Sequence, residues 1–201
     1  GSSSVTLTAT NAGGTSAAVT LALTVNPKAL TVAGVTVANK VYDGTTAATA
    51  TYTGATLTGV VGSDAVSLVS ANATAAFADK NAGTGKAVTI AGLTLSGANA
   101  ANYTVTAPAV TADITKAALT AKADNQVRVQ GSANPALTIT YTGFVNGETK
   151  AVITEPVATT AATVESAAGD YAITLSGGSA ENYAFTLQNG TLTVSAKAVP
   201  V

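Results

Sequence analysis

The sequence contains no cysteine, histidine, methionine or tryptophan among its 201 residues. The absence of cysteine and histidine excludes disulfide bonds, thiol nucleophiles and zinc sites built on these ligands. Without histidine, the chain also lacks the commonest general base of enzymes. We therefore predict no metal centre, no cofactor and no enzymatic activity.

Charged residues are also scarce, at 9% of the chain against roughly 25% in an average soluble domain. Nine cationic and ten acidic side chains leave a net charge of −1. Such a chain offers neither the basic surface that nucleic-acid binding requires nor a polybasic segment that attracts anionic lipid. No apolar run reaches the roughly 18 residues of a membrane-spanning helix. We predict no nucleic-acid partner and no membrane insertion.

Hydrophobic residues are abundant, at 47% of the chain with a mean hydropathy of +0.37, which is not typical of disorder. Apolar residues alternate with threonine and other small residues over 19–25, 48–53, 137–142 and 171–175. A period of two is typical of strands with one buried face. Asp-Gly, Asn-Gly and Gly-Gly pairs separate the runs and indicate turns. Only residues 146–152 show signals for one helical turn, with Asn146 as its cap, so we predict an all-β fold with little helix.

An internal repeat indicates the domain organisation. A short apolar strand followed by Lys-Ala recurs at Lys28, Lys116 and Lys197. We predict two modules at 28–116 and 117–197, with few contacts across the junction near Lys116. Residues 1–27 would combine a tag remnant with a terminal hairpin, and 198–201 would begin the next linker of a longer parent chain.

The segment Lys40–Thr46 (KVYDGTT) resembles the signature of the bacterial YDG domain. The resemblance continues in order through residues 59–64 (GVVGSD), 77–83 (FADKNAG), 85–88 (GKAV) and 95–103 (LSGANAANY). It covers most of the first predicted module.

The second module resembles the MBG domain of the YGX type. Matching segments are 131–135 (GSANP), 141–147 (YTGFVNG), 168–171 (AGDY), 182–183 (NY) and 190–194 (GTLTV). The chain departs from that pattern at the name-giving Tyr-Gly, where it reads Gln130-Gly131. Residues 5–25 resemble the last hairpin of a bacterial Ig-like repeat.

These resemblances imply tandem modules of large secreted or surface-anchored bacterial proteins, including adhesins, with no catalytic activity. We expect an elongated tandem of two small β modules, each an Ig-like sandwich or a β-grasp-like fold. The expected function is a stalk that extends a distal binding domain. Two alternatives stay open at this point: direct binding of a glycan, mucin or partner protein, and an accessory domain of a secreted hydrolase.

The candidate site residues are predicted to be structural, serving as turn, cap and core positions rather than as ligands. They are Tyr42, Asp43, Gly44, Asn102, Tyr103, Asn134, Pro135, Gly147, Tyr171, Asn182 and Tyr183. A calcium site would need several close carboxylates, and no Asp-x-Asp spacing links Asp43, Asp64 and Asp79. A glycosidase would need a carboxylate pair in a shaped pocket, for which the candidates are Glu148, Glu155, Glu165 and Glu181.

The expected partners are the neighbouring modules of the same chain and a host or surface glycan or protein. Residues 5–25 form a hairpin with an apolar face, and a lone hairpin is marginal in water. We expect it to stay poorly ordered, to add to the chain's own sheet, or to mediate self-association through its open edge.

Overall fold

The structure, a computed structural model, describes residues 2–198 and is built almost entirely from short strands. Its helical segments are two single 3₁₀ turns, at Ala100–Asn102 and Lys150–Val152. The strands are, in chain order, β1 (Ser2–Leu7), β2 (Thr10–Asn11), β3 (Gly14–Thr15), β4 (Val19–Thr24), β5 (Lys28–Ala33), β6 (Thr36–Val37), β7 (Lys40–Val41), β8 (Ala50–Thr51), β9 (Thr56–Thr58), β10 (Ser67–Val69), β11 (Thr74–Phe77), β12 (Gly83–Ala91), β13 (Thr94–Ser96), β14 (Tyr103–Thr106), β15 (Val110–Thr115), β16 (Ala117–Ala123), β17 (Gln126–Val129), β18 (Ile139–Thr142), β19 (Val157–Thr160), β20 (Gly169–Ser176), β21 (Tyr183–Gln188) and β22 (Gly190–Ser195).

Contacts divide the chain into two compact units that interleave along the sequence. Unit 1 comprises the described residues up to Ala38 together with 48–76 and 87–111. Unit 2 comprises 39–47, 77–86 and the described residues from Ala112 onward. Two stretches from the first half of the chain therefore fold with the second half.

Two sheets of unit 2 share one apolar core. A three-stranded sheet has the order β18-β16-β21, and a four-stranded sheet has the order β17-β22-β20-β19. Strand β16 pairs parallel with β21 and antiparallel with β18. Core side chains come from both sheets, including Ala121, Ile173 and Leu192, which are fully buried.

The alternation seen in the sequence explains this burial. In β16 every second residue from Ala117 is buried, and the residues between them are more accessible. Strand β22 follows the same period, with Leu192 and Val194 buried. Small alanines lie beside larger aliphatic residues in this core, so the two sheets bury a continuous apolar layer.

Unit 1 repeats part of this arrangement. Strand β5 lies between β14, with which it pairs parallel, and β9, with which it pairs antiparallel. Its core includes Val32, Val35 and Ile90, with Tyr52 and Leu57 packed against them. Strands β11, β12 and β15 contribute residues to both units.

The N-terminal hairpin pairs β1 with β4, opposing Val5 to Leu21 and Leu7 to Val19. It is a two-stranded sheet and, among the described residues, joins no other sheet. Its large apolar residues are all exposed, from 46% for Val5 to 64% for Val19. The alternation in this segment therefore indicated a strand correctly, but it did not indicate a buried face.

The predicted all-β class with little helix is confirmed. The helical turn predicted over 146–152 is shorter than expected, at Lys150–Val152, and its cap is Thr149 rather than Asn146. Asn146 instead adopts a positive φ of 51° in the preceding turn. The predicted tag remnant at Gly1 and the predicted linker residues 199–201 lie outside the described residues.

Gly143 should be the least replaceable glycine after β18. Its φ is +117°, and an added Cβ would lie 2.4 Å from the carbonyl oxygen of Ala118 on the neighbouring strand. Gly177 is a matched control, because its φ is +69° but nothing lies within 4 Å of its Cβ position. We expect Gly143→Ala to lower the free energy of unfolding by at least about 2 kcal/mol, and Gly177→Ala by about 1 kcal/mol. Urea unfolding measures both, and equal losses would contradict the close-approach argument.

Candidate functional site

A tight turn after β18 positions the carboxylate of Glu148. The turn has left-handed backbone at Asn146 (φ 51°) and Gly147 (φ 72°), and the N–H of Glu148 donates to the carbonyl of Val145 at 3.0 Å. Glycine and asparagine tolerate this conformation better than other residues. The side chain of Glu148 is consequently turned inward and only 13% exposed.

Three side chains donate to that carboxylate. The hydroxyl of Tyr183 donates to Oε2 at 2.6 Å, and the hydroxyl of Tyr42 donates to Oε1 at 2.7 Å. Lys80 Nζ donates to the same Oε1 at 3.0 Å and forms an ion pair. We call Tyr42, Lys80, Glu148 and Tyr183 the Glu148 cluster, and all four belong to unit 2.

Strand ends and ring packing hold the two tyrosines in place. Tyr42 follows β7, and its N–H donates to the carbonyl of Thr115 at 2.8 Å. Its ring meets that of Tyr183 edge to face, with centroids 5.6 Å apart, and Phe144 packs edge to face on the other tyrosine at 5.4 Å. Tyr42 and Tyr183 are each 2% exposed. Such buried aromatic pairs add specific packing to the hydrogen bonds.

The pKa values within the cluster follow from these contacts. Burial acts to raise the pKa of Glu148, but the hydrogen bonds from Tyr183, Tyr42 and Lys80 outweigh it and leave the pKa below its ordinary value. Burial and the hydrogen bond to Glu148 together raise the pKa of Tyr183 to about 12. The hydrogen bond to Glu148 also raises the pKa of Lys80. Glu148 is therefore a stable anion at neutral pH rather than a group poised to exchange a proton.

Asn182 extends the cluster to the loop that carries Lys80. Its Oδ1 accepts from the N–H of Ala82 at 2.8 Å, and its Nδ2 donates to Oδ1 of Asn81 at 3.1 Å. Its backbone carbonyl accepts from the N–H of Ala117 at 3.0 Å. The side chain of Asn182 thus joins two segments separated by about 100 positions in sequence.

These contacts correct one expectation from the sequence. We expected few contacts across the junction near Lys116, yet Tyr42, Lys80 and Ala82 on one side bond to Glu148 and Asn182 on the other. The reason is that 39–47 and 77–86 fold into unit 2.

Asp43 and Gly44 form the turn that follows Tyr42. Oδ1 of Asp43 accepts from Lys40 Nζ, from the N–H of Thr45 and from its hydroxyl, each at 2.8 Å. The hydrogen bond from Lys40 is the largest of the effects that lower the pKa of Asp43 to about 2. Gly44 has a φ of +78°, and an added Cβ would lie 2.7 Å from Cβ of Asn146.

Asn134 anchors a buried cation that the sequence analysis did not single out. Arg128 is only 7% exposed, and its Nε donates to Oδ1 of Asn134 at 2.7 Å. The guanidinium also donates to the carbonyls of Val129 and Thr163. Nδ2 of Asn134 donates to the carbonyl of Ala162 at 2.6 Å. The hydrogen bonds of Arg128 are charge-assisted, and the side-chain amide of Asn134 both accepts and donates. These contacts fix the loop before β18 against the rest of the domain.

The remaining predicted residues lie apart from the Glu148 cluster. Tyr103 is 7% exposed and donates to Oδ2 of Asp64 at 2.6 Å. Asn102 is exposed at the end of a 3₁₀ turn. The hydroxyl of Tyr171 donates to the carbonyl of Ala167 at 3.0 Å, and Pro135 is half-buried in the loop after Asn134.

The candidate calcium ligands are not brought together. Asp43 bonds to Lys40 and Asp64 to Tyr103, whereas Asp79 accepts from Lys86 Nζ at 2.6 Å. Within residues 2–198, no group of three or more acidic side chains is arranged to hold a metal ion. In the same residues, neither helical turn has the length and apolar character of a membrane-spanning helix.

Removing the charge of Glu148 should destabilise unit 2. Glu148→Gln keeps the size of the side chain but loses the charge-assisted character of three hydrogen bonds. We expect the free energy of unfolding to fall by about 2 kcal/mol. Glu165→Gln is the matched control, because that side chain is exposed, and its effect should stay within about 0.5 kcal/mol. Urea unfolding at neutral pH measures both, and equal effects would show that the cluster contributes nothing.

The raised pKa of Tyr183 predicts a loss of stability in alkali. The value is 10.0 in the unfolded chain and about 12 in the folded chain. The contribution of Tyr183 is therefore complete below pH 10 and is lost as the pH rises towards 12. We expect Tyr183→Phe to be less stable than the parent chain at pH 9, with the difference shrinking towards pH 12. Unfolding midpoints across this range test it, and a constant difference would contradict it.

Comparison with protein-family models finds two matches. Residues 26–112 match the YDG domain, and residues 119–193 match the MBG domain of the YGX type. The search of curated proteins and the search of solved structures found no match. The order expected from the sequence motifs is thus confirmed, whereas the assignment of 5–25 to an Ig-like repeat stays a prediction. The chain carries a YDG domain followed by an MBG domain of the YGX type.

Proposed function

We propose that this chain is a non-enzymatic spacer of a secreted or surface-anchored bacterial adhesin, extending a distal binding region. Domains of both families are typical of bacterial surface proteins and of repeat modules, and both families are non-catalytic. A spacer must transmit position along the chain, so successive domains have to be held together by specific contacts.

The Glu148 cluster is the observation that carries this proposal. Tyr42 and Lys80 come from the segment matched to the YDG domain, while Glu148 and Tyr183 come from the segment matched to the MBG domain. One mostly buried carboxylate thus receives donors from both families of domain. Asn182 adds a second link, to Asn81 and Ala82.

The electrostatics of the cluster favour a structural role over a catalytic one. The donors stabilise the charged form of Glu148, and among the described residues no second carboxylate shares the site. A glycosidase needs a second carboxyl group about 5–10 Å away, with one of the two kept protonated. Among the other acidic candidates, Glu155 is paired with Lys150 at 3.1 Å, which lowers rather than raises its pKa.

The exposed N-terminal hairpin is relevant to the predicted self-association through residues 5–25. Val5, Leu7, Val19 and Leu21 are exposed on a sheet of two strands. Self-association through 5–25 stays part of the proposal, as does a host or surface glycan or protein as partner. Surface localisation belongs to the same proposal.

Surface display tests the spacer role. A binding domain of known ligand is joined to the N-terminus of the full chain, and a cell-surface anchor is joined to the C-terminus. We expect more capture of ligand-coated beads than with the binder joined directly to the anchor. The variant Leu119→Asp, which places a charge at a fully buried position, should unfold unit 2 and lose this gain.

The alternative of direct binding is tested separately on the chain without fused domains. Glycan and mucin arrays should show no saturable binding. Saturable binding, together with no gain in display, would replace the spacer proposal with a binding function.

A further inference from the structure

The hydrogen-bond pattern of Tyr183 occurs a second time, in unit 1. Tyr103 donates to Oδ2 of Asp64 at 2.6 Å and accepts from the N–H of Val61 at 3.1 Å. Tyr183 donates to Oε2 of Glu148 at 2.6 Å and accepts from the N–H of Val145 at 3.2 Å. In both loops a Thr-Gly pair leads to the valine, and the acidic residue follows three positions later.

Strand pairing shows that the two sites are equivalent. In unit 1, Tyr103 pairs with Lys28 at the start of β5. In unit 2, Tyr183 pairs with Ala117 at the start of β16. The strands that lead into the two loops, β9 and β18, pair antiparallel with β5 and β16 in the corresponding register. Asp64 in unit 1 is therefore equivalent in position to Glu148 in unit 2, and Asn102 is equivalent to Asn182.

The two sites differ in what else they contact. Glu148 uses its second oxygen to accept from Tyr42 and Lys80, and Asn182 binds the loop that carries Lys80. Among the described residues, Tyr103 is the only side chain that donates to Asp64. The side chain of Asn102 is exposed and, within the same residues, makes no hydrogen bond. Unit 1 thus has the accepting groups, Asp64 and Asn102, without donors that correspond to Tyr42 and Lys80.

We infer that Asp64, Asn102 and Tyr103 form a docking site for a β module that presents a phenol and a primary ammonium, as Tyr42 and Lys80 do. The entering chain lies at this end of unit 1, because Asn26 and Pro27 line a small cavity with Asn102. In unit 2 the entering residue Lys116 likewise donates to the carbonyl of Ala180, near Asn182. The biological meaning rests on the proposed spacer function, but the contact itself can be tested independently.

At the position of Tyr42, the chain's own MBG domain does not offer a phenol. Gln130 occupies the position of Tyr42, since its N–H donates to the carbonyl of Ser195 at 2.8 Å as that of Tyr42 does to Thr115. Its side chain carries an amide instead of a phenol. The occupant is accordingly a module with tyrosine at this position, of which residues 28–116 are the example in hand.

Insertion of a second copy of residues 28–116 after Lys116 creates this arrangement within the full chain. Lys80 of the first copy should then meet Asp64 of the inserted copy, while Lys80 of the inserted copy meets Glu148. A carbodiimide joins an amine to a carboxylate in contact with it, with loss of one water. The Lys80–Glu148 pair, at 3.0 Å, is the internal positive control. Peptide mapping should show Lys80–Asp64 cross-links as well as Lys80–Glu148 cross-links.

The matched controls are Asp64→Asn in either copy alone. The substitution in the inserted copy should abolish the Lys80–Asp64 cross-link, and the same substitution in the first copy should leave it intact. The inference is overturned if Lys80–Glu148 forms without Lys80–Asp64. In that case the display experiment can still succeed, so failure of the docking site is distinguishable from failure of the spacer function.

A second measurement needs no insertion. A peptide of residues 77–86 carries Lys80 and the Asn81 and Ala82 groups that Asn182 binds, and it is titrated into the ¹⁵N-labelled full chain, in which Glu148 is already occupied. We expect saturable shift changes at the side-chain amide of Asn102 and at amides 61–65, with about fivefold weaker binding for the Lys80→Gln peptide. Absence of shifts at these amides, or equal binding by both peptides, overturns the inference. If the chain with the insertion does not fold, this titration is the deciding test.

Discussion

The carboxylate of Glu148 is the interaction on which unit 2 depends. It is mostly buried, so its charge must be compensated within the protein, and three donors from distant parts of the sequence do so. Each donor is fixed by a different element: Tyr42 by the end of β7, Lys80 by the loop before β12, and Tyr183 by the start of β21. A single, mostly buried charge thereby joins three chain segments that lie far apart in the sequence.

The composition of the apolar cores explains why these polar contacts matter. They consist of short β-branched, leucine and alanine side chains, which bury well between sheets but give little directional specificity. The few large rings therefore contribute more than their number implies. Tyr42, Tyr103 and Tyr183 each bury a ring and donate a hydroxyl hydrogen bond to a carboxylate. The hydroxyls of Tyr103 and Tyr183 also accept a hydrogen bond from a backbone N–H.

The strand class and the order of the two domains could be predicted because they depend on local patterns: period-two alternation, glycine-containing turns and motif order. The compact units could not, since Phe77 and the loop after it fold with residues beyond Ala112, and no local signal encodes that choice. In the sequence, Glu148 is one of four scattered glutamates. The spacing that it shares with Asp64 was visible in the sequence, as a Thr-Gly pair followed at a fixed distance by an acid and later by Asn-Tyr. Arg128 gave no such signal, because its burial depends on acceptors in two loops, the side chain of Asn134 and the carbonyl of Thr163, in addition to the adjacent carbonyl of Val129.

The replacement of Tyr42 by Gln130 at the equivalent position of the second domain has a consequence for evolution by recombination. An exchange of whole domains at the Lys-Ala junctions of Lys28 and Lys116 would interrupt no pair of described strands. Under the docking proposal, each exchange would bring a specific donor next to a specific acceptor. A domain that presents a tyrosine and a lysine as Tyr42 and Lys80 do could precede one with an acid at the position of Asp64 or Glu148, whereas a domain with glutamine at the position of Tyr42 would be a poorer predecessor. The docking proposal therefore predicts that the order of domains in such a chain depends on compatible neighbours, even where every domain folds to the same architecture.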